Sequence, residues 1–374
     1  MADKRLFTPG PLTTSPRVKQ ALLRDLGSRD SAFIDVIRDI RRELLRLGGP
    51  TVPESHESVL MQGSGTFAIE STIGSVIPPD GKLLVVINGA YGRRMADMAE
   101  RLGIHTIRFT LPENQPIDPH DIAIALAADA FISHVGVIHC ETTTGLLNPI
   151  AEIGAAVRHA GRLLIADAMS SFGGVELDLN AASIDYLVSS ANKCIQGVPG
   201  FGFVLARREP LAAAAGWARS LSLDLHAQWR GLEKDGQFRF TPPTHTLLAF
   251  REALAELVDE GGIPARAARY ARNRSILLDG LASLGLDEYL PRHLQSSIIM
   301  SYRYPAHPAF QFDTLYQRLS DRGLVIYPGK VSDADCFRIG CIGHLFEDDF
   351  RELVAALGDV LSEMGVPAPA GGRA

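Results

Sequence analysis

The sequence predicts an α/β protein: a large, mostly parallel sheet covered by helices on both faces, followed by a smaller α+β C-terminal unit. Three observations carry this expectation. Continuous apolar runs such as Leu83-Leu84-Val85-Val86-Ile87 and Leu163-Leu164-Ile165-Ala166 alternate with helical patterns as far as about residue 206. Strands that are apolar throughout belong in sheets buried on both faces. Beyond about Thr246 the texture changes to two long helical patterns and then short strand-like segments. The chain has 374 residues, whereas single cores rarely grow past roughly 250–300. We therefore expect a large domain over 15–245, a small domain formed by 1–14 with 246–364, and a flexible tail at 365–374, which is rich in Pro, Ala and Gly.

The elements follow in order. The opening Thr8-Pro9-Gly10-Pro11-Leu12 is a stiff, turn-rich lead-in, since proline fixes φ and glycine permits a bend. Residues 15–48 read as helical, with Val18, Leu22, Val36, Ile37, Ile40 and Leu44 at helical spacing. A strand is expected over 58–62, then Gly63-Ser64-Gly65-Thr66 and a helix over 67–76. Strands at 82–88, 106–109, 131–139 and 163–167 alternate with helices at 93–102, 121–128 and 150–159. Strands at 186–190 and 202–206 complete the large sheet. In the C-terminal unit, helices are expected at 247–259, 265–284, 312–321 and 348–364, and strands at 298–302, 324–327 and 336–339.

Composition narrows the function. Apolar residues make up 46% and the formal charge is −6, the balance of a globular chain without the basic face of a nucleic-acid binder. The four cysteines, Cys140, Cys194, Cys336 and Cys341, form no C-x-x-C pair and match no zinc spacing. Reduced thiols are expected. The N-terminus lacks the apolar core of a signal peptide, and no run of 18 apolar residues exists. No membrane association is expected, and a cytoplasmic location is.

Three features fall at strand ends, where open α/β sheets bind ligands. Gly63-Ser64-Gly65-Thr66 precedes a helix, and free N–H groups at a helix N-terminus attract a phosphate. It matches neither the Walker A pattern nor the dinucleotide fingerprint. Asp167 ends an apolar strand, where a carboxylate is costly without a partner. A protonated ring nitrogen would supply one. Lys193 follows Ser189-Ser190-Ala191-Asn192 and precedes the turn from Gly197 to Gly202. A lysine that forms a Schiff base needs partial burial and a lowered pKa. Together these are the parts that pyridoxal 5′-phosphate (PLP) requires. Taken singly, each has a plainer reading: a glycine turn, a structural aspartate, a solvated lysine. A nucleotide-binding α/β protein that holds a phosphate without covalent chemistry is the alternative of another class.

The chain also resembles the class V, fold-type I PLP-dependent aminotransferases. The resemblance rests on TPGPLTT (8–14), VLMQGSGTFAIE (59–70), NGAYGRRM (88–95), HCETTTGLLNPI (139–150), DAMSSFGG (167–174), SSANKCIQGVPGFGFVLA (189–206), SLSLDLHAQWR (220–230), RFTPPTHTLLAF (239–250), VIYPGKVS (325–332) and FRIGCIG (337–343). It implies transfer of the amino group of 2-aminoethylphosphonate to pyruvate, giving phosphonoacetaldehyde and L-alanine. It implies Lys193 as the covalent anchor of the cofactor and Asp167 as the partner of its ring nitrogen. Ser64, Gly65 and Thr66 match the phosphate cup, with Asn192 beside the phosphate. Thr142 lies where the family contacts the cofactor, and Tyr91 where an aromatic stacks on the ring. Thr241 resembles a residue that reaches the phosphate of a neighbouring subunit, which implies a homodimer with shared sites. Arg338 matches the arginine for the substrate anion, and a guanidinium fork suits carboxylate and phosphonate alike. Alanine:glyoxylate and serine:pyruvate transamination stay open within the class. A desulfurase would need a mobile late cysteine, whereas Cys336 and Cys341 lie in or beside the Arg338 strand.

Overall fold

In the computed structural model, which describes residues 3–366, seven strands form one sheet. Their order is His56–Gly63, Gly200–Arg207, Tyr186–Ser190, Leu163–Asp167, Ile132–Ile138, Lys82–Ile87 and His105–Thr110. Gly200–Arg207 runs antiparallel to both neighbours, and the other pairings are parallel. Two reversals restore the direction, so Gly63, Asp167 and Ser190 all end at the same edge of the sheet. The three sequence features singled out for chemistry are therefore neighbours in space.

Residues 15–48 differ from the single helical stretch expected. They form two helices, Pro16–Ala21 and Ser31–Leu47. The interruption has a local cause: Asp30 is extended, and its side chain accepts the N–H of Ala32 at 2.8 Å, capping a new helix. That helix buries Phe33, Val36, Ile37, Ile40 and Leu44, a stripe at helical spacing. A helix over Leu225–Asp235 was not expected. Asp224 caps it through Ala227 N–H at 2.8 Å, and Gly236 ends it at φ 76°.

The C-terminal part builds a three-stranded antiparallel sheet with Cys336–Gly340 between Ile299–Arg303 and Tyr327–Pro328. The single strand expected over 324–327 is divided. Leu324–Val325 pairs in parallel with Arg5–Leu6, and Tyr327–Pro328 joins the Arg338 strand. The chain changes partner at Ile326, which is buried in the small core.

Two main apolar cores result. The large one takes in buried residues from Val18 to Ile263, including Leu247, Phe250, Leu254 and Leu257 of the helix Thr244–Asp259. The smaller one joins Phe7 to residues from Leu277 to Val366. The helix Gly262–Ser283 links them, with Ile263 in one and Leu277, Leu278 and Leu281 in the other. Val366 is packed, its N–H donating to Leu361 O at 2.9 Å. The rest of the expected tail, 367–374, lies outside the described residues. No helix among the described residues is long and apolar enough to cross a membrane.

Candidate active site

The helix Gly65–Val76 begins at the sheet edge. Gly63 sits at φ 105°, and Ser64 is extended with no side-chain capping bond. The first helical bond runs from Ala68 N to Ser64 O at 3.2 Å. The N–H groups of Gly65 and Thr66 thus lack helical acceptors and favour an anion. Gly65 is required by shape: a Cβ there would lie 2.1 Å from Met169 Sδ.

Asp167 ends its strand 8% exposed. Its Oδ1 accepts the N–H of Met169 at 2.9 Å, and among the described residues no donor meets the other oxygen. Burial pushes the carboxyl up to about 7, although the Met169 N–H and the Lys193 charge act against that. An N–H⁺ partner would relieve this cost.

Lys193 follows Tyr186–Ser190 and is half-buried. Its Nζ donates to Pro9 O at 2.6 Å. Burial depresses the amine below its usual range, the direction a nucleophilic lysine needs. The lead-in loop therefore lies directly on it. A Cβ at Gly10, where φ is 117°, would fall 2.9 Å from Nζ. Cys194 beside it is fully buried, and its thiol is pushed up to about 12 by burial. This agrees with a packing role.

Asp167, Lys193, Ser64, Gly65, Thr66, Tyr91 and Asn192 line one cavity of about 220 Å³. Sequence reasoning missed Arg94, Met169 and Ser190, which line it too. It also missed Glu141. This buried carboxylate accepts Tyr91 N–H at 3.2 Å, Gly92 N–H at 3.4 Å, and both N–H and hydroxyl of Thr143. It thereby anchors the helix Ala90–Arg101 that carries Tyr91.

Arg338 does not line the cavity but adjoins it. It is 3% exposed, with NH1 donating to Thr142 O at 2.7 Å and Nε to Pro328 O at 2.9 Å. Its Cζ lies 5.3 Å from the Tyr327 ring centroid. Burial lowers its pKa, while the negative form of Tyr91 opposes that. The Tyr91 phenol is raised by burial, but the Thr142 hydroxyl and the charges of Lys330, Lys193 and Arg338 outweigh this and leave it low. Thr142 thus sits between Arg338 and Tyr91. Thr241 is elsewhere: it is exposed, its carbonyl accepts from Gln62 Nε2 at 3.0 Å, and it lines a surface recess with Arg29 and Arg239.

A helix N-terminus for a phosphate, a buried carboxylate with one oxygen unpaired among the described residues, and an amine of lowered basicity meet in one cavity. The family description "Aminotransferase class-V" matches residues 20–328. The chain belongs to the class-V aminotransferases. These enzymes are PLP-dependent, and so is this chain. The site fits that cofactor in its donor set and in the cradle that a Cβ at Gly65 would fill.

Among relatives, a 2-aminoethylphosphonate–pyruvate transaminase of Syntrophobacter fumaroxidans is 53% identical over 96% of this chain and 97% of its own. The enzyme of that name from Pseudomonas fluorescens is 47% identical over 98% and 99%. Among solved structures, the pyridoxamine–pyruvate aminotransferase of Mesorhizobium loti superposes with a TM-score of 0.88 at 27% identity, covering 97% of this chain and 93% of that one. The alanine–glyoxylate aminotransferase from Nostoc shares the fold at a TM-score of 0.89 and 24% identity, covering 96% of each chain.

Proposed function

We propose that this class-V aminotransferase moves the amino group of 2-aminoethylphosphonate to pyruvate, releasing phosphonoacetaldehyde and L-alanine. Full-length identity of about half to the transaminases of that name supports the substrate pair. The observation that carries the chemistry is the shared cavity of Lys193 and Asp167. When bound, PLP supplies an electron sink for the carbon that bears the amine.

The chain's own residues do the rest in this reading. Lys193 Nζ would hold the cofactor and would carry the proton to and from the reacting carbon. Asp167 holds a proton on the ring nitrogen. Ser64, Gly65, Thr66 and Asn192 hold the phosphate, Tyr91 offers its face to the ring, and Thr142 borders it. Arg338 spends two donors on backbone carbonyls, which leaves the rest of its five-donor fork for an anion. Because pyruvate follows the donor into the same site, Arg338 meets both anions in turn.

Thr241 belongs to the cavity of a second copy in this reading, which makes the enzyme a homodimer. Its exposure and its place outside its own cavity support this. A sedimentation mass of one chain would remove it. We also place the enzyme in the cytoplasm, in keeping with four free, buried cysteines. The two apolar cores favour a large PLP-binding domain and a small one that includes the N-terminal strand.

A screen of amino donors against pyruvate tests the function. 2-Aminoethylphosphonate is expected to exceed serine and other α-amino acids in kcat/KM, with stoichiometric L-alanine. Preference for serine, or for glyoxylate as acceptor, would replace this reading by one of the neighbouring activities. Arg338→Lys keeps the charge but loses the fork. It is expected to raise KM for donor and for pyruvate by roughly tenfold each. A rise confined to one substrate would show separate anion sites.

A further inference from the structure

Lys330 lies on the loop that links Tyr327–Pro328 to the Arg338 strand. Its Nζ stands 4.4 Å from the centroid of the Tyr91 ring, against the residue that borders the cavity. The side chain is half-buried, and no ion pair involves it among the described residues. The loop's acidic contact is already taken: Glu113 pairs with Arg93 and accepts Ser332 N–H at 2.9 Å. That contact fixes the loop against the large domain two residues beyond Lys330. Gly329 can turn there only because it lacks a side chain, since a Cβ would lie 2.0 Å from Cys336 O. The loop is thus held so that an uncompensated ammonium faces the same tyrosine that neighbours Arg338 and Lys193.

The two substrates differ in charge. Pyruvate presents one carboxylate, which a guanidinium fork satisfies bidentately. A phosphonate, like a phosphate ester, offers three acceptor oxygens and more negative charge. One arginine, two of whose donors are bound to Thr142 O and Pro328 O, leaves part of that charge unmatched. We propose that Lys330 is a specificity-determining residue, supplying the second cation that selects a phosphonate donor over a carboxylate one. This rests on the function proposed above.

The test uses the loaded enzyme and the variants Lys330→Met and Lys330→Arg. Steady-state constants are measured for 2-aminoethylphosphonate and pyruvate. Inhibition constants are measured for ethylphosphonate and propionate, which carry the two anions without an amine. Lys330→Met is expected to raise KM for the donor and Ki for ethylphosphonate by about tenfold, the scale of one charge-assisted contact. KM for pyruvate and Ki for propionate should change less than about twofold, because Arg338 serves them. Lys330→Arg should restore the ethylphosphonate preference, which a merely structural lysine would not do. Equal changes for both anions, or none, would overturn the assignment while leaving the function intact. A wild-type enzyme that does not turn over 2-aminoethylphosphonate would overturn both.

Discussion

Lys193→Ala is expected to lower kcat by at least about 10³, within the 10²–10⁴ range of a positioned acid–base group plus the lost covalent anchor. Among the described residues no other lysine lines the cavity, so none of these amines stands in for it. The loss should be in chemistry more than in folding. Among the described residues Lys193 Nζ makes one hydrogen bond, to Pro9 O, and a single bond contributes about 1 kcal/mol. Two measurements check this. The visible absorbance of bound cofactor should shift or vanish, and borohydride should no longer fix the cofactor to the chain. Wild-type turnover in the variant would place the catalytic amine elsewhere.

Asp167→Asn should cost roughly 10² in kcat, because an amide cannot hold a proton on a ring nitrogen as a carboxylate does. The substitution is nearly isosteric, and its carbonyl can still accept from Met169 N–H, so the fold should persist. The cofactor-free protein gives an independent readout. Burial raises this carboxyl from 3.8 to about 7. Between those values the folded chain binds more protons here than the unfolded chain does. Its contribution to stability therefore falls as pH rises from about 4 to about 7, and is constant above that. Urea midpoints at pH 5 and pH 7.5 should differ in that direction, and Asp167→Asn should lack this component. Loading with cofactor should reduce it, since a protonated nitrogen then offsets the buried charge. A midpoint that rises with pH through this window in the native chain, and equally in Asp167→Asn, would mean that the carboxyl is charged at little cost.

The large sheet was legible because its central strands are largely apolar, and burial on both faces writes itself into composition. Lys193, Asp167 and Gly63–Thr66 were legible because each sits at a break in that pattern. The antiparallel course of Gly200–Arg207 was not, since strand direction leaves no mark on a buried run. The break at Asp30 and the helix at Leu225–Asp235 were missed although both carry an aspartate cap. Glu141, Arg94 and Lys330 were out of reach for a different reason. Each takes its place from the fold: Glu141 from Tyr91 and Gly92, Arg94 from the cavity and the Tyr91 ring of its own helix, Lys330 from that same ring. Thr241 could be singled out only by resemblance, for its side chain makes no hydrogen bond among the described residues.

The acceptor that meets Lys193 Nζ is a main-chain oxygen, and this has a genetic consequence. No codon change at position 9 deletes a carbonyl. Only a shift of the backbone can break the contact, and the adjacent Gly10 has a conformation and a proximity to Nζ that exclude a side chain. Substitution at position 9 can therefore leave the contact with Lys193 in place, whereas any side chain at position 10 would disturb it.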